Sequence, residues 1–331
     1  MEEAGLDLAP QIGAILFSMR ICSLLPSSTE ILFALGLGDE VLGVTHECDF
    51  PPEARDKRVV VRSRLPHTSD SAEIDRLVRE FTERGESVYR VDAQALREID
   101  PDLIITQDLC HVCAASPDDL AAALTVLMHA PRVLSLNPHS LADVWNDIST
   151  VGAATGRSTE AHIFVSRLKE RVAGVQRAVE PFMRDSARPR VVCLEWLNPP
   201  YIGGHWVPEM VALAGGADVL GRAGEPSFRV DWQQVLSAQP DVILVMPCGF
   251  NAEQTVEEVG RTTFPPGWQD LPAVREARIF ATDANSYFSR PGPRLADGVA
   301  ILASAIHPQA WIESIPSGAL HPLQQKSKAS A

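Results

Sequence analysis

The sequence predicts an α/β protein of two Rossmann-like lobes, each built on a parallel sheet, joined by a single long helix. Three observations carry this. From Ser158 to Glu180 the apolar residues Ala161, Phe164, Val165, Leu168, Val172, Val175 and Val179 recur at spacings of three and four, which sets them on one helical stripe. Pro101-Asp102 and Pro240-Asp241 each lead into a wholly apolar run, Leu103 to Thr106 and Val242 to Val245, as strands covered on both faces do. In both halves such runs alternate with helical patterns, the arrangement a parallel sheet requires.

The first lobe is expected over residues 20–155, after an unstructured extension (1–19). Ile21 to Leu25 reads as a strand, and Pro26 to Thr29 begins a helix capped by Ser27 or Ser28 that carries Ile31, Leu32 and Leu35. Val41 to Thr45 is a second strand. Ser71 to Arg84 is an amphipathic helix, Val88 to Val91 a strand-like piece, and Leu103 to Thr106 the buried strand. A helix from Pro117 to His129, a strand from Val133 to Leu136 and a helix from Leu141 to Gly156 complete the lobe.

The joining segment is residues 156–186. Ser158 suits its N-cap, Glu160 its first turn, and Pro181 stops it. At about 1.5 Å per residue it would span roughly 34 Å, the width of a small domain. The second lobe, 187–308, repeats the pattern: strand Arg190 to Leu194, helix Pro208 to Leu213, helix Trp232 to Ser237, strand Val242 to Val245, strand Arg278 to Thr282 and helix Arg294 to Ile306. A disordered polar tail is expected over 309–331.

Composition bounds the function. The chain of 331 residues is 45% hydrophobic and 22% charged, as folded two-domain proteins are. Its net charge of −14 without a Lys/Arg cluster argues against nucleic acid and anionic membrane surfaces. No apolar run approaches the ~20 residues of a membrane span. The apolar stretch Ile12 to Met19 follows Glu2, Glu3 and Asp7 with no preceding Lys or Arg, so it does not read as a signal peptide. The expectation is a cytoplasmic monomer with reduced thiols, and a periplasmic one only if translation starts elsewhere.

In open parallel sheets ligands bind beyond the carboxyl ends of the strands. The loops there hold Ser27, Ser28, His46, Glu47, Asp49, Gln107, Cys110 and Cys113 in the first half, and Glu195, Trp196, Tyr201, His205, Trp206, Cys248, Phe288 and Arg290 in the second. Trp196, Tyr201, Trp206 and Phe288 suit the apolar walls of a pocket, or core packing. Glu47 and Glu195, directly after apolar strands, need a partner or water. The prolines of Arg290-Pro291-Gly292-Pro293-Arg294 aim two guanidiniums, either at an anionic or amide-bearing ligand or at a structural salt bridge. Cys110-His111-Val112-Cys113 with Cys248 suits zinc or iron, or a dithiol; otherwise these cysteines are small buried hydrophobes. G-x-G-x-x-G, P-loop, G-x-S-x-G and H-E-x-x-H signatures are absent from the sequence.

Read in order, Ser23-Leu24-Leu25-Pro26-Ser27-Ser28-Thr29-Glu30, Gly43 to Pro51, Pro101-Asp102-Leu103-Ile104, Asn198-Pro199-Pro200-Tyr201 and Asn285 to Arg294 resemble the solute-binding proteins of vitamin B12 and iron-chelate ABC importers, over about Arg20 to Pro308. The resemblance implies a rigid helix between two lobes and a ligand, cobalamin-like or another metal chelate, sandwiched in the cleft. It implies corrinoid-facing roles for His46 or Glu47, Gln107 and the Asn198 to Tyr201 turn. It also implies docking to a permease through an acidic residue on each lobe, by position Asp118 or Asp119 and Glu209. This sequence departs from that family in the C-x-x-C, in Cys248 and in a unit from Val61 to Val91 that reads as inserted. The second reading is an intracellular metal- or thiol-dependent enzyme using Cys110, Cys113 and Cys248 in the same cleft.

Overall fold

The computed structural model describes residues 19–66, 68, 70–107, 117–125, 127–184, 187–312 and 315–323, with backbone only for 117–119. The first lobe comprises β1 (Ile21–Ser23), α1 (Pro26–Ala34), β2 (Val41–Thr45), β3 (Arg58–Ser63), α2 (Ser71–Glu83), β4 (Tyr89–Val91), α3 (Ala93–Ile99), β5 (Leu103–Thr106), α4 (Pro117–Leu124), β6 (Arg132–Ser135) and α5 (Leu141–Ala154). Its sheet order is β4-β3-β2-β1-β5-β6, parallel except at β4, which runs antiparallel to β3. The strand order reverses between β1 and β5, the position at which open α/β sheets bind ligands, with the start of α1 and Gln107 beyond the strand ends.

The joining helix is α6 (Ser158–Val179), unbroken over 22 residues. Its stripe Ala161, Val165, Leu168, Val172, Val175 and Val179 is buried, and a 3-10 turn containing Pro181 ends it. Ser158 is its first helical residue rather than its cap. Contact with α5 is close: a Cβ on Gly152 would lie 2.5 Å from that of Ala161. Burial of this stripe supplies most of the helix's stability, since isolated helices of this length are marginal in water.

The second lobe adds β7 (Arg190–Leu197), β8 (Pro200–Ile202), α7 (Val207–Leu213), β9 (Ala217–Asp218), β10 (Phe228–Arg229), α8 (Trp232–Ser237), β11 (Val242–Val245), α9 (Ala252–Arg261), α10 (Pro272–Arg275), β12 (Ile279–Thr282), α11 (Ala284–Tyr287), α12 (Leu295–Ile306) and β13 (Leu320–Pro322). The order is β10-β8-β7-β11-β12-β13, with β9 beside β7. β7, β11 and β12 run parallel, while β8, β10 and β13 join antiparallel at the edges. The sheets are therefore mixed at their margins. The tail expectation is corrected for residues 315–323, because Leu320, His321 and Pro322 pair with Thr282, Ala281 and Phe280.

One apolar cluster runs from the first lobe through α6 into α7 and α12, with Arg171 on α6 paired to Asp297 on α12 at 2.7 Å. The lobes thus share a core along the joining helix instead of hanging from a flexible tether. Each fully buried Leu or Ile in it is worth about 1.5–3 kcal/mol.

Candidate functional site

Among the described residues, three polar contacts join the lobes on their strand-end sides. The central one starts from the two arginines after β12. Arg294 grips Glu30 with both prongs, Nε to Oε2 at 3.0 Å and Nη2 to Oε1 at 2.6 Å, and its guanidinium lies 4.3 Å from the centre of the Phe50 ring. Arg290 donates to Asp49 Oδ1 at 2.5 Å, to the Glu47 carbonyl at 2.9 Å and to Asn285 Oδ1 at 3.0 Å, and lies 3.6 Å from Glu30. Glu30 is 3% exposed and Arg290 8%. Burial pushes the Glu30 carboxyl above its usual range against the opposing pull of Arg294. The salt-bridge reading of the Arg290 to Arg294 loop is the one found, and it corrects the picture of two guanidiniums aimed at a ligand.

Beneath this pair lies a hydroxyl and thiol network. Thr29 Oγ1 donates to Ser23 Oγ at 2.7 Å, Ser23 and Ser28 hydroxyls are 2.6 Å apart, and Cys48 Sγ lies 3.1 Å from Thr29 and 3.4 Å from Thr45. Ser28 is fully buried and Ser27 nearly so, packed under Gly292. Both serines therefore fix the base of the junction and offer almost no surface to a ligand in this conformation. Burial raises the Cys48 thiol pKa against the opposing hydrogen bonds of Thr29 and Thr45.

The second contact lies at the β6 edge. Glu209 Oε2, at the start of α7, accepts from the backbone N–H of Leu141 at 3.0 Å, and the rings of His139 and His205 stand 5.8 Å apart. His205 occupies the left-handed region at φ 50°, which turns the chain into α7. Burial and the neighbouring His139 hold its pKa down. The third contact is a hydrogen bond from Ser71, at the start of α2, to Glu258 on α9; both are buried, and Glu258 also pairs with Arg261 at 3.3 Å. Ser71, Glu258 and His139 were not singled out in the sequence, and their spacing there gives no hint that they meet.

The remaining predicted residues divide by burial. Glu47 and His46 are exposed on the turn after β2, where Tyr89 Oη donates to Glu47 at 3.3 Å and the His46 and Tyr89 rings are 6.1 Å apart. Gln107 is half-buried directly after β5. Glu195 is half-buried near the end of β7 and accepts from Ser227 Oγ at 2.7 Å, above Gly203. Trp196 packs edge-on against Phe250 with centroids 5.6 Å apart, faces Tyr201 across the β7–β8 hairpin, and has a buried Nε1 without a hydrogen-bond partner among the described residues. Trp206 and Phe288, 5% and 2% exposed, belong to the core; Trp206 Nε1 donates to the Phe288 carbonyl at 2.7 Å. They brace the second lobe and do not wall a cleft.

Cys110 and Cys113 lie outside the described residues, and Cys248 is exposed after β11. Among the described residues no group of three or more His, Cys, Asp or Glu is arranged to hold a metal ion. A separate hollow of about 270 Å³ at the opposite end of the second lobe is lined by Phe182, Arg278 and His307 among others. Arg278 there donates to the last carbonyls of α12, at 2.7 Å to Ile306 O, which explains it as a helix-end partner.

The profile of the periplasmic binding protein family matches residues 21–286. The chain belongs to this family. An uncharacterized ABC transporter substrate-binding lipoprotein of Bacillus subtilis, YvrC, is 26% identical over 305 residues, 89% of this chain and 82% of its own. The vitamin B12-binding protein of Vibrio cholerae is 25% identical over 287 residues, covering 85% of this chain and 86% of its own. In fold, this periplasmic binding protein is similar to a periplasmic heme-binding protein of Pseudomonas aeruginosa, with a TM-score of 0.72 over 93% of this chain and 99% of the other at 17% identity. The two-lobed α/β architecture read from the sequence and the family resemblance of its motifs both stand.

Proposed function

We propose that this binding protein holds a corrinoid or closely similar metal chelate in the cleft between its lobes and presents it to an ABC permease. The alignment with the vitamin B12-binding protein, which runs through both lobes, carries the reading. Gln107 beside the strand-order reversal, Glu47 on the first lobe, and Glu195, Trp196 and Tyr201 on the second are the groups we assign to the ligand. The carboxylates and the amide suit the N–H and C=O groups of corrin side chains, and the aromatic rings suit the macrocycle's apolar face. The shared core along α6 and the three contacts between lobes favour a ligand that enters a nearly preformed cleft. Small-molecule sites are usually of that kind.

Glu209 is the acidic group we assign to permease docking on the second lobe. It is half-exposed, and its bond to Leu141 N fixes the carboxylate. Asp118 and Asp119 begin α4 on the first lobe. The test is spectroscopic. Dicyanocobinamide added to the purified full chain should shift its visible bands with one-to-one stoichiometry, and Trp196→Ala should weaken that binding by about thirtyfold, or ~2 kcal/mol. Unshifted bands, or a full shift with Trp196→Ala at wild-type affinity, would defeat respectively the ligand class and the assignment of the aromatic wall.

A further inference from the structure

We infer that Arg229 is a specificity residue of the cleft, recognising an anionic oxygen group, phosphate ester or carboxylate, on the margin of the bound chelate. This rests on the chelate-binding reading above and concerns the same site. Register places the residue there. Tyr201 on β8 pairs with Trp196 of β7 on one side and with Arg229 of β10 on the other. Directly opposed residues of antiparallel strands share a face, so the three side chains form one row across β7, β8 and β10. Ile202 and Phe228, each one residue along, pair with each other within the second apolar cluster, which leaves the row on the opposite face. At about 4.8 Å per strand, Arg229 stands roughly 10 Å along that row from Trp196. An aromatic wall with a cation at its rim suits a flat ring that carries its charge on a side chain.

Three other arginines of this lobe are committed: Arg290 to Asp49, Arg294 to Glu30 and Arg222 to Glu225. Arg229 is exposed and makes no ion pair or side-chain hydrogen bond among the described residues. Ser227, two residues before it, donates to Glu195 Oε2 at 2.7 Å, so the carboxylate next to Trp196 is engaged by a hydroxyl and not by this guanidinium. At the other end of the row the indole Nε1 of Trp196 is buried without a hydrogen-bond partner among the described residues. Indole and guanidinium nitrogens donate and cannot accept, so both ends of the row call for oxygen acceptors. In a chain at −14, with Glu47 and Glu195 at the site, an anionic group is repelled except beside a cation. Arg229 thereby also sets which edge of the ligand faces β10.

Three corrinoids that differ at one side chain test this on the full chain by calorimetry. Dicyanocobinamide ends that chain in a neutral alcohol, dicyanocobinamide phosphate in a phosphate ester, and dicyanocobyric acid in a carboxylate. One or both of the anionic ligands should bind about tenfold more tightly than the alcohol, and the one that gains identifies the group recognised. The advantage should shrink as salt is raised, because the guanidinium is exposed. Arg229→Gln should bring the three ligands to within about twofold of one another, and Arg229→Lys should keep their order. Anionic ligands binding no more tightly than the alcohol, or an advantage that survives Arg229→Gln, would overturn the assignment and leave the chelate reading intact. Binding of none of the three would overturn both.

Discussion

Replacing Glu30 should damage the junction between the lobes far more than a surface carboxylate would. The side chain is almost fully buried and faces Arg294 through two bonds of 3.0 and 2.6 Å, with Arg290 3.6 Å away. At an effective dielectric near 20, a pair about 3 Å apart is worth roughly 5 kcal/mol of Coulomb energy. Most of that is offset by desolvation, so the pair itself adds little, but removing one member leaves a buried charge unanswered at about 3–5 kcal/mol. Glu30→Gln and Arg294→Met should each lower the unfolding free energy by that amount in urea melts followed by tryptophan fluorescence. The double variant removes both charges and should be less destabilised than either single change, with a coupling energy of about 3 kcal/mol or more. Single variants costing under about 1 kcal/mol with an additive double would refute the buried network.

Asp147 on α5 is raised to about 7, first by burial and then by Asp143, and one of its oxygens lacks a partner among the described residues. A raised folded pKa stabilises below the unfolded value near 4 and loses that contribution as pH climbs to about 7. Asp147→Asn should therefore add about 1–2 kcal/mol at pH 8, allowing for partial exposure, and flatten the pH profile of stability between 4 and 7; an unchanged profile would remove the assignment. Ser71→Ala should speed amide exchange in α2 and α9 by about tenfold, because it opens the contact with Glu258. Exchange unchanged in both helices would show the contact to be idle. Trp206→Phe, which loses the bond to Phe288 O, should cost about 1–2 kcal/mol by thermal melting without changing ligand selectivity.

The sequence made the framework legible because its signals are local. The stripe on α6 and the apolar runs at β5 and β11 each encode burial within a few residues, and all three elements form as read. The antiparallel strands β8, β10 and β13 are two or three residues long and lack both a continuous apolar run and room for alternation, so only their partners define them. The site was legible as loops and not as contacts. Arg290 and Arg294 were read as either ligand-directed or salt-bridged, and the choice depends on Asp49 and Glu30, 241 and 264 positions away. Trp206 and Phe288 carry the same ambiguity, since an aromatic after a strand end can wall a cleft or brace a core, and here each is the other's hydrogen-bonding partner. Glu30 stood in the opening motif without a role because a carboxylate's burial is invisible until the second lobe covers it.

The central claim is that the two lobes enclose a chelate of the corrinoid class, and calorimetric titration of the full chain with cyanocobalamin tests it most directly. The account predicts one site per chain with a dissociation constant of about 1 μM or tighter, roughly −8 kcal/mol, with a negative heat-capacity change from burial of the corrin's apolar face. An absence of heat at several temperatures, with the cobalamin spectrum unaltered at saturating protein, would contradict it.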